Sequence, residues 1–244
     1  MLMEKDQFKK VMRSTLDKHL TLANPLFKHL LNEESPNTDL LQFTALQGYQ
    51  LTKYFLTYIE HIFFYCPLPR HKTILLHNLY EEETGALSRT KNHVALMQDF
   101  IRAIGISDEQ RDAVAALPAT QELIDYRLQA VKDRQRYHIG AAAVLVASEG
   151  QNLETVGEEA RHNILGKVYN LKDEDLLFFS VHQKEDVGHV KQGLALLADL
   201  CTTPKMQREA IEAIDHTCQL FYNMYQGIYE YFGLHELEAA EEPA

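Results

Sequence analysis

The residues with the clearest capacity for chemistry lie in the stretch FFSVHQKEDVGH. His182, Asp186 and His189 stand there at positions i, i+4 and i+7, so on a helix they share one face within about 40° of each other. Imidazole and carboxylate groups in this arrangement are the ligands that non-haem iron or manganese prefers. The span covers about 10 Å of helix axis, which suits two ions about 3.5–4 Å apart with the aspartate between them. The pattern predicts a dinuclear metal site, although an isolated HxxxDxxH also arises by chance on polar helix faces.

Two other segments carry carboxylate and imidazole groups that could bind the same metal ions. Glu149 ends an apolar, small-residue stretch, GAAAVLVAS, that is typical of a buried helix. A buried carboxylate is paired, protonated or metal-bound, because an isolated buried charge is too costly. The run NLYEEETG carries Glu81, Glu82 and Glu83 and is followed by His93. Three glutamates in a row usually mark a solvated face, but inward-pointing Glu, Asp and His from separate helices are how bundles build dimetal sites.

The distance along the chain between Glu82 and His93 sets a constraint. Ten residues separate them, and one continuous helix would hold them about 16 Å apart, too far for one dimetal site. The chain must therefore break within residues 84–89, where Gly85 permits a turn. The break leaves the choice among Glu81, Glu82 and Glu83 open.

The elements that must position these residues are all predicted to be helices. Apolar residues recur at three- and four-residue spacing, and no stretch alternates as a strand would. Prolines, glycines and capping residues divide the chain, and the predicted helices cover residues 39–65, 70–82, 92–104, a short segment after 107, 120–132, 137–151, 153–165, 173–200 and 204–232. We expect one helical domain over residues 1–234 and an acidic, frayed tail over 235–244.

Composition narrows the class of protein. The 244 residues are 45% hydrophobic and 24% charged, which is typical of a globular domain. The formal net charge of −11 argues against nucleic acid or an anionic membrane as partner. Cys66, Cys201 and Cys218 are odd in number and widely spaced, as expected for reduced thiols in the cytoplasm. The longest apolar run, residues 139–147, is about half of what a bilayer span needs.

The order NLxxEE…H, then a glutamate in an Ala-rich helix, then HxxxDxxH resembles the haem-oxygenase-like diiron oxidases. That family groups CADD-, UndA- and SznF-like proteins and shares a superfamily with TenA- and PqqC-like proteins. The resemblance covers the chain from about Asn24 to Leu200. It implies an all-α, haem-oxygenase-like bundle of about seven core helices plus short accessory helices. It also implies a site with two Fe²⁺ ions, or a manganese–iron pair, held by Glu82, His93, Glu149, His182, Asp186 and His189.

The same resemblance implies an enzyme that activates O2 as a co-substrate. The expected substrate is a small amino acid or carboxylic acid, and the expected outcome is N-oxygenation, desaturation or oxidative C–C cleavage with decarboxylation. The expected partners are this substrate and an external electron donor, and a homodimer is compatible with the family. Glu60 is a candidate seventh ligand. The candidate pocket residues are Lys53, Tyr54, Tyr58, His77 and Tyr80.

Several alternatives within the fold remain. The 4-aminobenzoate-forming subgroup consumes a tyrosine and a lysine of its own chain, and these positions match Phe27 and Glu159 here, which argues against that activity. TenA-type thiaminases need a cysteine beside the buried glutamate, and the segment before Glu149 has none. A PqqC-like or TenA-like metal-independent enzyme is one alternative, and a helical interaction protein with a vestigial metal site is another.

Overall fold

Helices make up all of the regular structure in the part of the chain that the computed structural model describes, residues 1–18, 21–151, 153 and 159–235. The prediction of an all-α fold is confirmed. The tail predicted to be frayed lies, from residue 236 onward, outside the described residues. The α-helices are α1 (Lys5–Asp17), α2 (Leu26–Leu30), α3 (Thr38–Tyr65), α4 (Pro69–Thr84), α5 (His93–Ala103), α6 (Asp108–Ala113), α7 (Pro118–Lys132), α8 (Tyr137–Ala141), α9 (Arg161–Tyr169), α10 (Leu177–Leu200) and α11 (Pro204–Tyr231).

Helix ends agree with the sequence where a capping side chain defines them. Asn37 accepts a hydrogen bond from the Leu40 amide at the start of α3, Ser107 opens α6 in a capping box, and Thr203 caps α11. These local bonds satisfy amides that have no partner inside the helix. Helix α1 was not predicted. The helix predicted over residues 153–165 is wrong at both ends, because residues 153, 159 and 160 are not helical and α9 runs from Arg161 to Tyr169; residues 154–158 lie outside the described part.

The helix at the centre of the bundle is not a regular α-helix throughout. The predicted helix over residues 137–151 begins as α8 and continues as a π-helical segment, Ala142–Ser148, which packs against α10 and α11. The hydroxyl of Ser148 donates to the carbonyl of Ala143, five residues earlier, at 2.9 Å. Wide turns of this kind interrupt α-helices mainly at functional sites. Here the interruption ends at Glu149.

A glycine brings α10 close to this central segment. A Cβ atom placed on Gly193 would lie 2.6 Å from the carbonyl oxygen of Leu145, whereas one placed on Gly188 would meet no atom within 4 Å. Gly193 is therefore a contact point between two backbones, and Gly188 is an exposed helical glycine.

These two glycines should respond to alanine in opposite directions. Gly193→Ala forces the two helices apart, and overpacking of this kind costs about 1–3 kcal/mol. Gly188→Ala should stabilise the protein by about 0.5–1 kcal/mol, because alanine loses less backbone entropy in a helix. Urea unfolding of both variants checks this. A Gly193→Ala protein as stable as the parent would contradict the close approach.

Ion pairs around Asp199 connect the N-terminal helix to the bundle. Asp199 on α10 accepts hydrogen bonds from Lys5 at 2.7 Å and from His71 at 2.8 Å, and it also pairs with Arg70. Burial would raise the pKa of Asp199, but Lys5, His71 and Arg70 outweigh it and lower the pKa to about 2. This cluster joins α1, α4 and α10.

None of the helices in the described part of the chain combines the length and the apolar character that a membrane span requires.

Candidate metal centre

The break between α4 and α5 brings Glu82 and His93 together. Helix α4 ends at Thr84, and Gly85 adopts a left-handed conformation with φ 62°. A side chain there would meet the carbonyl oxygen of Lys91 at 2.1 Å, so only glycine fits. The loop returns the chain so that His93 begins α5 with its Nδ1 atom 2.8 Å from Oε2 of Glu82. The predicted break is confirmed.

The three consecutive glutamates have different surroundings. The oxygens of Glu81 accept hydrogen bonds from the backbone amides of Leu87 and Ser88, at 2.6 and 3.1 Å. Glu81 therefore holds the loop that follows α4. The side chain of Glu83 is exposed. Glu82 alone of the three lines the large internal cavity described below, so it has the orientation that a ligand needs.

Glu149 lies opposite this loop, at the end of the π-helical segment. Glu149 is 3% exposed, and its Oε1 atom lies 3.5 Å from Nδ1 of His189. Burial would raise the pKa of Glu149, but the nearby His189 and His182 outweigh it and lower the pKa. For His189, burial alone would lower the pKa, and the Glu149 carboxylate raises it to about 9. Without metal, the two therefore form an ion pair at neutral pH.

Helix α10 supplies the third set of groups, on one face as the spacing predicts. Nδ1 of His182 donates to the carbonyl of Phe178 at 2.6 Å, which leaves Nε2 as the atom with a free lone pair. Burial lowers the pKa of His182, and His93, whose ring centroid is 4.6 Å away, lowers it further. His182 is therefore a neutral imidazole, the form that binds metals.

Asp186 lies between the two histidines of α10 and is 8% exposed. Burial raises the pKa of Asp186 well above its ordinary value, and the carboxylates of Glu149 and Glu82 raise it further. The cluster therefore contains more carboxylates than it can keep ionised without a cation. A metal bound there would supply that positive charge, and its binding would release protons from groups such as Asp186 and His189.

The ligand atoms form two groups that share one residue. Glu82, His93 and His182 place ligand atoms within 4.8 Å of one another, and so do Glu82, Glu149 and His189. Buried atoms without a hydrogen-bond partner among the described residues include Oε1 of Glu82, Oε1 of Glu149 and Oδ1 of Asp186. Such groups are rare unless something binds them. Oxygen and imidazole donors in two groups around a shared carboxylate fit a pair of iron ions.

Glu185 also approaches the centre, and the sequence did not single it out as a ligand. Its Oε2 atom lies 3.8 Å from Nε2 of His93, and Glu81, His93 and Glu185 form a third compact group of ligand atoms. Burial raises the pKa of Glu185, and Glu81 raises it further. Because the amides of the loop already occupy Glu81, this third group is less open to a metal than the two that share Glu82.

Other residues suggested by the sequence lie elsewhere. Glu60 is exposed on the far part of α3, beside His61 and Phe63, and does not join the cluster. The prediction of the pocket residues is also wrong. In the described part of the chain, the internal cavity is not lined by any of the five suggested residues, Lys53, Tyr54, Tyr58, His77 and Tyr80. Tyr58 is fully buried in the core, and Tyr80 is 49% exposed.

The cluster opens onto an internal cavity of about 590 Å³. Its walls are mainly apolar, with Phe27, Phe55 and Phe221 among the aromatic residues. One wall residue is a charged side chain that sequence reasoning missed: Arg127 of α7, which is 1% exposed. A cavity of this volume matches sites that enclose small organic ligands.

Comparison with known proteins gives the family. Residues 42–222 match the model of a family described as iron-containing redox enzymes. Since this match covers most of the chain, the protein belongs to that family. The resemblance seen in the sequence is thereby confirmed, and the protein is an iron-containing oxidoreductase by family.

Curated relatives extend this result. The chain is 32% identical to the 4-aminobenzoate synthase of Nitrosomonas europaea over 157 residues, which are 64% of this chain and 61% of that protein. It is 25% identical to the 4-aminobenzoate synthase of Chlamydia muridarum over 157 residues, 64% of each chain. The matches therefore span less than two thirds of these relatives.

Solved structures share the fold. A protein of Shewanella denitrificans, described as a domain of unknown function with a heme oxygenase-like fold, superposes with a TM-score of 0.69 at 17% identity, over 100% of both chains. A TenA homologue from Pseudomonas syringae gives 0.70 at 13% identity, over 92% of both chains. A CADD-like protein of unknown function from Nostoc punctiforme gives 0.69 at 14% identity, over 92% of this chain and 98% of that one. The haem-oxygenase-like fold is confirmed.

Proposed function

We propose that this protein is a non-haem diiron enzyme that uses O2 to oxidise a small amino acid or carboxylic acid. The observation that carries the proposal is the pair of ligand groups sharing Glu82, with buried carboxylate oxygens that have no hydrogen-bond partner among the described residues. Two irons supply the binding and reduction of O2, which protein side chains cannot perform alone.

The chain's own residues would divide the remaining tasks. His93 and His182 would help to hold one ion, Glu149 and His189 would help to hold the other, and Glu82, which belongs to both groups, would contribute to both, with Asp186 between the histidines of α10. The Phe178 carbonyl fixes the ring of His182 at 2.6 Å, which would leave Nε2 available as the ligand atom. The apolar cavity would exclude water and hold the substrate against the cluster. Oxidation would then give N-oxygenation, desaturation or C–C cleavage.

The names of the relatives suggest a second candidate, formation of 4-aminobenzoate, and the cavity argues against one route to it. The related subgroup consumes a tyrosine and a lysine of its own chain. Here Phe27 lies in the cavity wall, 4.8 Å from the ring of Tyr225. Glu159 is paired with Lys167 at 2.6 Å. Among the described residues, no lysine lines the cavity.

A metal-independent reaction of the TenA type has no support from the cavity either. That chemistry needs a cysteine beside the buried glutamate. Cys66, Cys201 and Cys218 are all buried in the core, and none belongs to the cavity wall that the described residues form.

The proposal is tested by oxygen uptake. Protein loaded anaerobically with ferrous iron should bind about two equivalents and consume O2 when a reductant is added. Uptake should accelerate with the correct member of a panel of amino acids and carboxylic acids. Mass spectrometry of the products should detect no 4-aminobenzoate made from the chain itself. Iron-loaded protein that leaves O2 untouched under all these conditions would favour a non-enzymatic interaction protein.

A further inference from the structure

Arg127 is a buried cation that has no carboxylate beside it in the described part of the chain. It is the largest fully buried side chain of the described residues. Its Nε donates to the Leu123 carbonyl at 3.3 Å, and its Nη1 donates to the hydroxyl of Ser148 at 3.4 Å, so both hydrogen bonds are long. Its Nη2 has no hydrogen-bond partner in the described part of the chain. The rings of Tyr58 and Phe221 lie 4.7 and 5.3 Å from the guanidinium carbon.

A second buried arginine shows what is missing. Arg111, which is 6% exposed, pairs with Asp108 at 2.5 Å and with Asp112 at 2.9 Å. Arg127 is more deeply buried and has no carboxylate partner among the described residues. Burial lowers the pKa of Arg127, and the phenol of Tyr58 partly opposes that effect, but no carboxylate does. A buried charge left in this state is strongly unfavourable, so a ligand anion is the missing group.

The charged residues around the cavity also favour an anionic ligand. Apart from the metal-site carboxylates and histidines, the arginines and histidines that line it in the described chain are Arg13, which pairs with Asp17, together with Arg127, Arg161 and His162. The chain as a whole carries a net charge of −11, so a cavity wall that is cationic outside the metal cluster departs from the rest of the molecule. Such a wall attracts anionic ligands.

We propose that the guanidinium of Arg127 binds the carboxylate of the substrate. Arg127 lines the same cavity as the cluster, and its Nη1 atom contacts Ser148, which directly precedes Glu149. A substrate carboxylate bound by Arg127 does not serve as a metal ligand. A different part of the substrate therefore faces the metal cluster. This inference rests on the proposed function for the identity of the ligand as substrate. The carboxylate site itself does not require metal.

The test measures binding of carboxylates against matched amides. Hexanoate, decanoate and 3-phenylpropanoate are titrated into the full-length protein, metal-free and iron-loaded, and compared with their primary amides by calorimetry. We expect the parent protein to prefer the carboxylates. In Arg127→Met, the Kd for carboxylates should rise at least about 10-fold, since a hydrogen bond to a charged group is lost. The Kd for the amides should stay unchanged.

Two further variants separate binding from folding. Arg134→Met removes an exposed arginine that stacks on Tyr65 outside the cavity, and it should bind carboxylates like the parent. Metal-free Arg127→Met should unfold at the same or a higher temperature, because it removes an unpaired buried charge. If that variant does not fold, Arg127→Gln takes its place and should lose the preference for carboxylates.

Equal binding of carboxylates and amides by the parent protein would overturn the proposal. So would an unchanged carboxylate Kd in Arg127→Met or Arg127→Gln. Iron content and oxygen uptake are measured on the same samples. If the metal-free protein prefers carboxylates but the loaded protein consumes no O2, the proposed function fails while the Arg127 site stands.

Discussion

Replacing Glu82 by alanine is expected to remove both irons, whereas replacing His189 should remove only one. Glu82 belongs to both groups of ligand atoms, and His189 belongs to one. Iron content after anaerobic loading should therefore fall from about two equivalents to near zero in Glu82→Ala and to about one in His189→Ala. Substrate-dependent oxygen uptake should fall at least about 100-fold in both, since even residues that only support ligands cost 10–100-fold.

The adjacent glutamates provide a matched control. Glu83→Ala changes an exposed carboxylate one position along the same helix and should keep both irons. Circular dichroism of metal-free Glu82→Ala checks that it folds, because the change relieves carboxylate repulsion in the buried cluster but also removes the 2.8 Å contact with His93. Full iron content in Glu82→Ala, or loss of iron in Glu83→Ala, would show that the ligand assignment is wrong.

Much of this cluster could be predicted because its parts are local in the sequence. The spacing of His182, Asp186 and His189 fixes their common face on any helix. The break after Glu82 followed from distance alone, since no continuous helix can return to the same site within eleven residues. Gly85 then supplies the one conformation that the turn requires.

Other features depend on contacts between distant segments. The resemblance implied Glu82, but the spacing alone could not separate it from Glu81; the structure does so, because the loop amides of Leu87 and Ser88 occupy Glu81. The π-helical segment before Glu149 has no signal in the sequence pattern, because alanine and valine fit α- and π-turns alike. Glu60 was misplaced because the sequence does not show which side of the long helix α3 faces the cluster.

Arg127 could have been found from the sequence. In α7 the buried residues include Leu123, Ile124, Arg127, Ala130 and Val131, which is the three- and four-residue spacing of an apolar helix face. An arginine at a position of that face must either reach the surface or find a buried partner. The same test, applied to every charged residue within an apolar stripe, would have identified this site.

Hydrogen exchange across residues 180–193 is expected to slow when ferrous iron binds, while α11 stays unchanged. Metal would tie His182, Asp186 and His189 of α10 to Glu82 and Glu149, so that binding and local folding are coupled. Without metal, burial raises the pKa of Asp186, and the carboxylates of Glu149 and Glu82 raise it further, so the cluster lacks compensating positive charge. With free iron at about 100 times its Kd, protection of this segment should rise about 100-fold.

Gly188→Ala separates this coupling from ordinary helix stability. The glycine faces open space, so alanine there should stiffen α10 by about 0.5–1 kcal/mol in both states. Exchange in the metal-free protein should slow a few-fold, and the further slowing caused by iron should persist. Helix α11, with buried Leu220, Phe221 and Tyr229, serves as the internal reference because none of its residues is a predicted ligand. Equal protection of residues 180–193 with and without iron would mean that α10 is fully formed before the metal arrives, and the carboxylate repulsion would then be too weak to open it.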